Sequence, residues 1–340
     1  MENIRFDIEE LYEDICVEEE KTTPDENTRV WTKENTLKAA TPDGVFIVPE
    51  GVTKIENGAF YVRKYEAPIN KDDPRTKNGV YVEKIVLPNS LLAIGEDAFR
   101  LCDTLREINI PENVKRIERG AFCWCHNLEK VQLPSGLRKI SESMFHSCYS
   151  LKEINLPESL EEIGAWAFDS CRSLQKVIIP GGVKFVGGCS FQHCYGLKEA
   201  VFEGSMKTIK SGTFNDCSKL ERIGFPNEMR VIESFAFEGC VSLKEITIPN
   251  TVQGIDYAAF ARCKSLETVY LPDSVVILSK YAFNDCPEIK EISMSEDTIV
   301  TYDTHVSVIK QSCDLNIGRT TNLVRRSTPK QVSFKDLFSA

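Results

Sequence analysis

Phenylalanine recurs in this chain every 23 residues, without slippage, over most of its length. The residues at this position are Phe99, Phe122, Phe145, Phe168, Phe191, Phe214, Phe237, Phe260 and Phe283. Cysteine stands three residues after each of them, from Cys102 to Cys286. One unit of this length cannot bury its own apolar face, whereas a stack of such units can. A fixed period in this range therefore indicates a solenoid.

Each unit contains the signals for a strand, a bend and a turn. Residues 154–156 alternate apolar, polar and apolar, which is the period of a strand, and Pro157 ends it because proline lacks an N–H. Phe168, Cys171 and Leu174 then follow at three-residue spacing, which suits one or two turns of helix or 3₁₀ helix. We therefore expect parallel strands joined by short helical turns in a right-handed coil.

The order of the motifs, Ile-x-Ile-Pro, then Val-x-x-Ile-Gly, then Ala-Phe-x-x-Cys-x-x-Leu, resembles the BspA-type leucine-rich repeat family. The resemblance covers about residues 36–295. It implies an α/β solenoid of the leucine-rich-repeat type, a superhelix with a parallel β-sheet on the concave face and short helical or 3₁₀ turns on the convex side. Family members bind proteins through that sheet and, where they lie on a cell surface, host components. The resemblance implies no catalytic residues.

The chain divides into an acidic start, a repeat region and a basic end. Residues 1–35 are expected to form an N-terminal helix or cap, since residues 1–28 carry a net charge of −9. Residues 36–300 form the predicted solenoid, and residues 36–39 are a candidate capping strand. The spacing of 39 residues between Phe60 and Phe99 leaves an insertion at 61–84, and long insertions are usually functional or disordered.

Residues 301–340 are expected to close the last coil and then to continue as a flexible basic tail. Phe334, Leu337 and Phe338 in this tail suit a short docking helix, and disorder without a role is the alternative.

Charge and hydropathy exclude several classes of protein. Most of the net charge of −10 lies in the N-terminal segment, so the repeat region is nearly neutral and has no basic stripe. Nucleic acid is therefore not expected as the main ligand. No apolar run is long enough to span a membrane. The acidic N-terminus is unlike a signal peptide, which favours a cytoplasmic protein, although surface members of the family are usually exported.

The nine repeat cysteines are expected to be small, buried apolar residues in a reducing compartment. The alternative is a metal site built from Cys123, Cys125, His126, His146 and Cys148, but the paired CxxC spacing of zinc sites is missing. We expect neither a metal nor a cofactor. Hydrolase, zinc-protease and P-loop motifs are also missing from the sequence, which predicts a protein without enzymatic activity.

The predicted concave face carries a column of residues that contains both polar and apolar side chains. Two flanking columns alternate in charge and are expected to neutralise each other across the strands. Exposed apolar groups on a concave wall can seat a partner. The alternatives are strand propensity alone or contact with the chain's own tail. The predicted partner-binding residues are Asn109, Gln132, Asn155, Ile178, Val201, Thr247 and Tyr270.

A rival surface follows the turn side, where aromatic and histidine residues come just after several of the repeat phenylalanines. Aromatic enrichment is typical of interface hot spots, and convex packing is the alternative. The residues of this rim are Trp124, His126, His146, Tyr149, His193 and Tyr195.

The sequence thus predicts a protein–protein interaction scaffold that binds a protein of unknown identity through the concave sheet and the insertion. One alternative is an exported cell-surface adhesin or host-binding protein. Another is a recruitment subunit of an enzyme complex, docked through the N-terminal helix or the C-terminal tail.

Overall fold

A computed structural model describes residues 29–39, 43–61, 81–289, 291–295, 298–301 and 330–333. Within these residues the chain forms one helix and short strands that succeed one another along the coil. The elements are β1 (Arg29–Trp31), α1 (Lys33–Ala39), β2 (Val45–Ile47), β3 (Val52–Ile55), β4 (Lys84–Val86), β5 (Ala93–Ile94), β6 (Glu107–Asn109), β7 (Arg116–Ile117), β8 (Lys130–Gln132), β9 (Lys139–Ile140), β10 (Glu162–Ile163), β11 (Lys176–Ile179), β12 (Phe185–Val186), β13 (Glu199–Phe202), β14 (Thr208–Ile209), β15 (Arg222–Gly224), β16 (Val231–Ile232), β17 (Glu245–Thr247), β18 (Gly254–Ile255), β19 (Thr268–Tyr270), β20 (Ile277–Ser279), β21 (Glu291–Met294), β22 (Ile299–Thr301) and β23 (Lys330–Ser333).

The strands stack into two parallel ladders, so the fold is a parallel-strand solenoid of about ten coils. The first ladder holds the strand predicted for each unit; in β11 and β13, for example, Lys176 pairs with Glu199. The second ladder consists mostly of two-residue strands and was not predicted. It comes from the second apolar pair of each unit, whose residues, such as Ile140 and Ile163, pair coil to coil.

Strand pairing in the first ladder is interrupted between β4 and β6, between β8 and β11, and between β15 and β17. The second of these interruptions falls at the unit that the sequence analysis used as its example of a strand. Residues 151–157 form no regular strand, contrary to the prediction for 154–156. Ile154 is still buried in the core, so the alternation of the side chains holds. A backbone hydrogen bond from Lys152 N–H to Glu129 O, at 3.3 Å, remains between this coil and its predecessor. The coil therefore keeps its place in the stack without the full ladder of hydrogen bonds.

The third side of each coil is a series of turns, not the short helices predicted for it. From the coil of Phe99 to that of Phe260, residues adopt positive φ two positions before and two positions after the phenylalanine; around Phe168 they are Trp166 (φ 52°) and Ser170 (φ 62°). A left-handed residue ends a right-handed helical run. Three-residue spacing therefore arises here from turns, as in the hydrogen bond from Cys171 N–H to Phe168 O at 3.1 Å.

The core is built on a continuous column of ten phenylalanine rings, from Phe60 to Phe283. Adjacent rings stack with centroids 5.1–5.5 Å apart. The backbone beside the rings is also tied from coil to coil: Phe168 N–H donates to Ser190 O at 2.7 Å, and Phe145 N–H donates to Ala167 O at 2.8 Å. Ring stacking and these hydrogen bonds together set the spacing of the coils.

The repeat cysteines do more than fill space. From the coil of Cys125 onward, each thiol donates a hydrogen bond to the carbonyl oxygen of the phenylalanine in the preceding coil, at Sγ–O distances of 3.1–3.3 Å. Burial raises the pKa of Cys171 well above its usual range, which keeps the thiol protonated and able to donate. Alanine would fill most of the same space but has no donor for the carbonyl.

The charged columns beside the first ladder neutralise each other across the coils, as the alternation of signs predicted. Glu129 binds Arg106 at 2.9 Å and Lys152 at 2.5 Å. Glu199 in turn binds Lys176 at 2.9 Å and Arg222 at 3.4 Å. The basic side chains are exposed and the two glutamates are half-buried, so each pair remains in contact with solvent and contributes little to the free energy of folding. Their main effect is to leave the sheet surface with little net charge.

The N-terminal end of the stack is covered by β1 and α1. Residues 36–39, a candidate strand from the sequence, belong to the helix α1. Trp31 stacks on Phe60, the first ring of the column, with centroids 6.2 Å apart, and its indole Nε1–H donates to Thr36 Oγ1 at 2.8 Å. The helix in this position satisfies the indole N–H and shields the first ring.

Two strands close the C-terminal end. β22 adds a last parallel strand to the second ladder, next to β20. β23 pairs antiparallel with β21, so residues 330–333 form a strand inside a segment predicted to be a flexible tail. Residues 1–28 of the predicted N-terminal helix or cap lie outside the described residues. No helix in the described ranges is long and apolar enough to cross a bilayer.

The substitution Gly187→Ala tests how closely neighbouring coils approach each other. A Cβ at Gly187 would lie 2.4 Å from Ala165 N, whereas the nearest atom to a Cβ at Gly136 is Lys115 Nζ at 3.5 Å. We expect Gly187→Ala to lower the free energy of unfolding by about 1–3 kcal/mol through overpacking. Gly136→Ala is the matched control and should leave it nearly unchanged. Thermal denaturation followed by circular dichroism measures both, and equal midpoints would contradict the predicted crowding.

Cys171→Ala tests the role of the thiol as a donor. The change removes the hydrogen bond to Phe145 O, at 3.3 Å, and leaves a buried carbonyl without this partner. We expect a loss of about 1–3 kcal/mol in the free energy of unfolding. Cys189→Ala is the control, because this half-buried thiol lies outside the column and its contact to Ser211 O is long, at 3.8 Å. Denaturation under reducing conditions should separate the two variants, and similar losses would argue against a specific role for the column.

Candidate functional site

In each coil the first ladder places one residue on its outward face directly after the buried strand residue. We call this set the outer column. It contains the predicted concave residues and extends beyond them at the N-terminal end: Ile47, Val86, Asn109, Gln132, Asn155, Ile178, Val201, Gly224, Thr247 and Tyr270.

The middle of the outer column is an apolar patch. Ile178 is 42% exposed and pairs directly with Val201, which is half-buried. Val201 pairs on its other side with Gly224, which adds no side chain to the surface. Further along, Tyr270 is 62% exposed beside Thr247. The structure therefore places these predicted residues together on one face, with the polar residues Asn109 and Gln132 nearer the N-terminal end.

Sequence reasoning missed a second apolar pair in the same column. Ile47 and Val86 pair directly between β2 and β4 and are 69% and 42% exposed. The alternation around Phe46 and Ile85 signals both positions, since each comes directly after a buried strand residue. The insertion lies between these two strands in the sequence and breaks the 23-residue period, so the two residues were not recognised as neighbours in the column.

A second candidate surface lies on the turn side, at the position directly after each repeat cysteine. There, side chains of successive coils contact each other in a row that we call the rim row. His126 Nδ1 lies 2.6 Å from Asp103 Oδ1, and the His126 and Tyr149 rings are 4.6 Å apart. Arg172 then lies between Tyr149 and Tyr195, with its Cζ 4.1 Å and 5.8 Å from the two ring centroids.

Arg172 completes the rim row and was missed from the sequence. The predicted rim set contained only aromatic and histidine residues, so Arg172 was left out of it. Reading the column after the cysteines finds it, because Tyr149, Arg172 and Tyr195 occupy the same position in successive units.

The remaining rim residues gather around Asp169, next to the rim row. Asp169 Oδ1 lies 3.1 Å from His193 Nδ1, and Asp169 Oδ2 lies 3.0 Å from His146 Nδ1. The ring centroids of Trp124 and His146 lie 6.5 Å apart, and Arg100 Cζ lies 4.6 Å from the centroid of the Trp124 ring. All six predicted rim residues thus belong to one connected network.

The network shifts the ionisation of two of its members. Burial opposes ionisation of Asp169, but the adjacent imidazoles of His146 and His193 outweigh it and hold the pKa of Asp169 below its usual value. The hydrogen bond to Asp169 raises the pKa of His193, helped by the charges of Asp169 and Asp216 and opposed by burial and Arg172.

Within the ranges that the structure describes, no group of three or more His, Cys, Asp or Glu side chains could hold a metal ion. Of the residues considered for such a site, Cys123, Cys125 and Cys148 are buried in the turn segments. Burial raises the pKa of Cys123 to about 12, which is unfavourable for a metal-binding thiolate.

The tail residues Phe334, Leu337 and Phe338 lie outside the described residues, as does the insertion between residues 62 and 80. The C-terminal end of the insertion is described: Thr104 Oγ1 donates to Val82 O at 2.7 Å and accepts from Val82 N–H at 3.0 Å. This contact leads the chain into β4, which carries Val86.

The two ladders and the stacked turns define a repeat protein of the parallel-solenoid class. The family model described as the BspA-type leucine-rich repeat region, in six copies, matches residues 77–198 and 190–307, together more than half of the chain. The protein therefore belongs to the BspA-type leucine-rich repeat family. No protein with a curated functional description matches it in sequence.

Several solved structures are similar. A leucine-rich repeat protein from Bacteroides ovatus is 24% identical, over 76% of this chain and 83% of that one, with a TM-score of 0.45. A leucine-rich cell surface protein from Faecalibacterium prausnitzii is 22% identical, over 74% and 88%, with a TM-score of 0.37. The pneumococcal vaccine antigen PcpA is 20% identical, over 77% and 71%, with a TM-score of 0.50. At this identity the PcpA match concerns the fold alone.

The bond between Asp169 and His193 makes a pH-dependent contribution to stability. The raised pKa of His193 means that its contribution is complete below the usual value of 6.5 and is lost as the pH rises through the raised pKa. The lowered pKa of Asp169 means that its contribution is present above 3.8 and is lost as the pH falls through the lowered pKa. We expect His193→Gln to lower the melting temperature most between about pH 4 and pH 6.

Lys264→Gln is the control for this prediction, because Lys264 is exposed and lies directly after the repeat cysteine of a later coil. Melting temperatures from pH 3 to pH 9 give both difference curves. A His193→Gln curve as flat as the control would show that the pair does not couple ionisation to folding.

Proposed function

We propose that the protein is a protein–protein interaction scaffold whose partner binds the outer column, the face that the family resemblance places on the concave side. One observation carries the proposal: apolar side chains are exposed along a hydrogen-bonded sheet whose flanking charges are already paired. A rigid, prepared surface loses little conformational entropy when a partner binds it.

The surroundings of Ile178 and Val201 resemble a binding patch with a polar border. Lys176, Glu199 and Arg222 form the charged row beside the patch, two residues earlier in the same strands, and they bind each other. Interfaces commonly combine an apolar centre with such a polar rim. Because the row is neutralised internally, it offers little long-range attraction for a charged partner. Affinity would then depend mainly on shape and apolar burial.

The insertion at 61–84 supplies a second part of the proposed surface. Its described end is fastened to Thr104 and leads directly into the strand of Val86, which pairs with Ile47. A partner that contacts the insertion would therefore meet the second apolar pair of the outer column. We assign this scaffold no catalytic role, in keeping with the sequence motifs.

The exported alternative, a cell-surface adhesin, differs from a cytoplasmic scaffold in where the same surface is displayed. The words cell surface and antigen describe the F. prausnitzii and pneumococcal proteins themselves and do not assign a location to this chain. Buried thiols, protonated and engaged with carbonyl groups, suit a reducing compartment but are also shielded from oxidants. Fractionation of the native host separates the two locations without altering the proposed contact surface.

The double variant Ile178→Glu/Val201→Lys tests the outer column. It places a charge pair at two directly paired positions on the outward face of the sheet, one exposed and one half-buried, so we expect the melting temperature to stay nearly unchanged while partner binding weakens. Asn109→Glu/Gln132→Lys introduces the same charges at another directly paired position of the column and shows whether the contact extends to its polar, N-terminal part.

The measurement is crosslinking in the native host, followed by identification of the crosslinked partner and titration of the purified partner. We expect at least a tenfold weaker affinity for the first variant, as charges replace apolar contacts at the centre of an interface. Equal affinity of the first variant and the wild type would exclude this patch as the contact surface.

A further inference from the structure

The rim row holds an arginine in an arrangement that differs from those of its neighbours on the turn side. Arg100 also lies over an aromatic ring, but its guanidinium binds Asp97 at 3.0 Å. Arg262 binds Asp216 at 3.2 Å and Glu238 at 3.1 Å. Arg172 is exposed and contacts Tyr149 and Tyr195, and in the described part of the chain no carboxylate lies within ion-pair distance of it.

The two tyrosines fix the position of the guanidinium without using its hydrogen-bond donors. Cation–π contact on a ring face holds the planar group, and its N–H groups point along the plane. An ordered guanidinium binds a carboxylate through two parallel hydrogen bonds and loses less entropy on binding than a free side chain. Arg172 therefore has the chemistry of a prepared anion anchor.

The surrounding charges select among anions. Asp103, Asp169 and Asp216 lie along the same part of the rim, each bound to a histidine or an arginine. These carboxylates repel a dianion such as a phosphate group, or a polyanion such as nucleic acid, more strongly than a single carboxylate. The exposed surface of Tyr195, at 39%, offers apolar contact to the residues that flank such a carboxylate.

We propose that Arg172, held between Tyr149 and Tyr195, binds the carboxylate of an acidic side chain in a peptide segment of a partner protein. This site lies on the turn side of the coils and is separate from the outer column. This proposal does not depend on the contact proposed for the outer column, and either one can fail without affecting the other.

Selection from a phage-displayed library of random peptides tests the proposal, with the Arg172→Gln protein as the counter-selection target. We expect enriched peptides to contain Asp or Glu next to an apolar residue. Synthetic versions of these peptides, measured by fluorescence anisotropy, should bind Arg172→Gln at least about 10-fold more weakly. Enrichment of peptides without an acidic residue, or equal affinity for Arg172→Gln, would overturn the proposal.

Two further variants separate recognition from a structural role. Arg172→Lys keeps the charge but not the planar pair of donors, so we expect an intermediate loss of peptide affinity with an unchanged melting temperature. Lys264→Gln, at the same position of a later unit, should bind the peptides like the wild type. A loss with Lys264→Gln as large as with Arg172→Gln would show non-specific attraction and overturn the site.

Replacing the acidic residue of an enriched peptide by phosphoserine separates the anion classes, and a single-stranded oligonucleotide tests nucleic acid. We expect weaker binding of both probes. Tighter binding of either one would overturn the assignment to a carboxylate.

Discussion

The structure depends on one constraint: each coil must satisfy the backbone and cover the apolar face of the coil before it. The phenylalanine column meets this requirement at the turn side, where the rings stack and the backbone N–H of each phenylalanine from Phe60 to Phe260 donates to a carbonyl in the next coil. The cysteine thiol adds a contact in the opposite direction, to the carbonyl of the preceding phenylalanine. With the turns tied in this way, even the coil of residues 151–157 stays in place without a regular strand.

A stack held by its interior leaves the side chains of its surfaces available for other roles. On the sheet side, alternating charges bind each other and frame the apolar pair of Ile178 and Val201. On the turn side, aromatic, histidine and arginine side chains of neighbouring coils order one another. Both surfaces are extended and rigid because they repeat with the coils, which is the usual basis of recognition by solenoid proteins. They differ in chemistry: one is apolar with a neutral border, and the other presents an ordered cation.

Much of the fold could be read from the period, because stacking places each residue next to the one 23 positions later. The strand ladder, the core column and the pairing of opposite charges such as Arg106 and Glu129 all follow from that rule. The same rule predicts which residues form the rim row, although the place of Arg172 in that row was recognised only from its contacts to Tyr149 and Tyr195. The short helices were wrong because the three-residue spacing does not distinguish a helix from turns with left-handed residues such as Trp166 and Ser170.

The sequence by itself determined which residues face the core, which coils are neighbours and which family the pattern resembles. Tertiary structure alone decided the contacts between different repeat positions. The thiol of Cys171 reaches a carbonyl 26 residues earlier, and His193 reaches Asp169, 24 residues earlier. The physical reason is that a period specifies contacts along the stack, whereas contacts across it depend on the path of the backbone around each coil. That path is set only when the turns, both ladders and the ring column pack together.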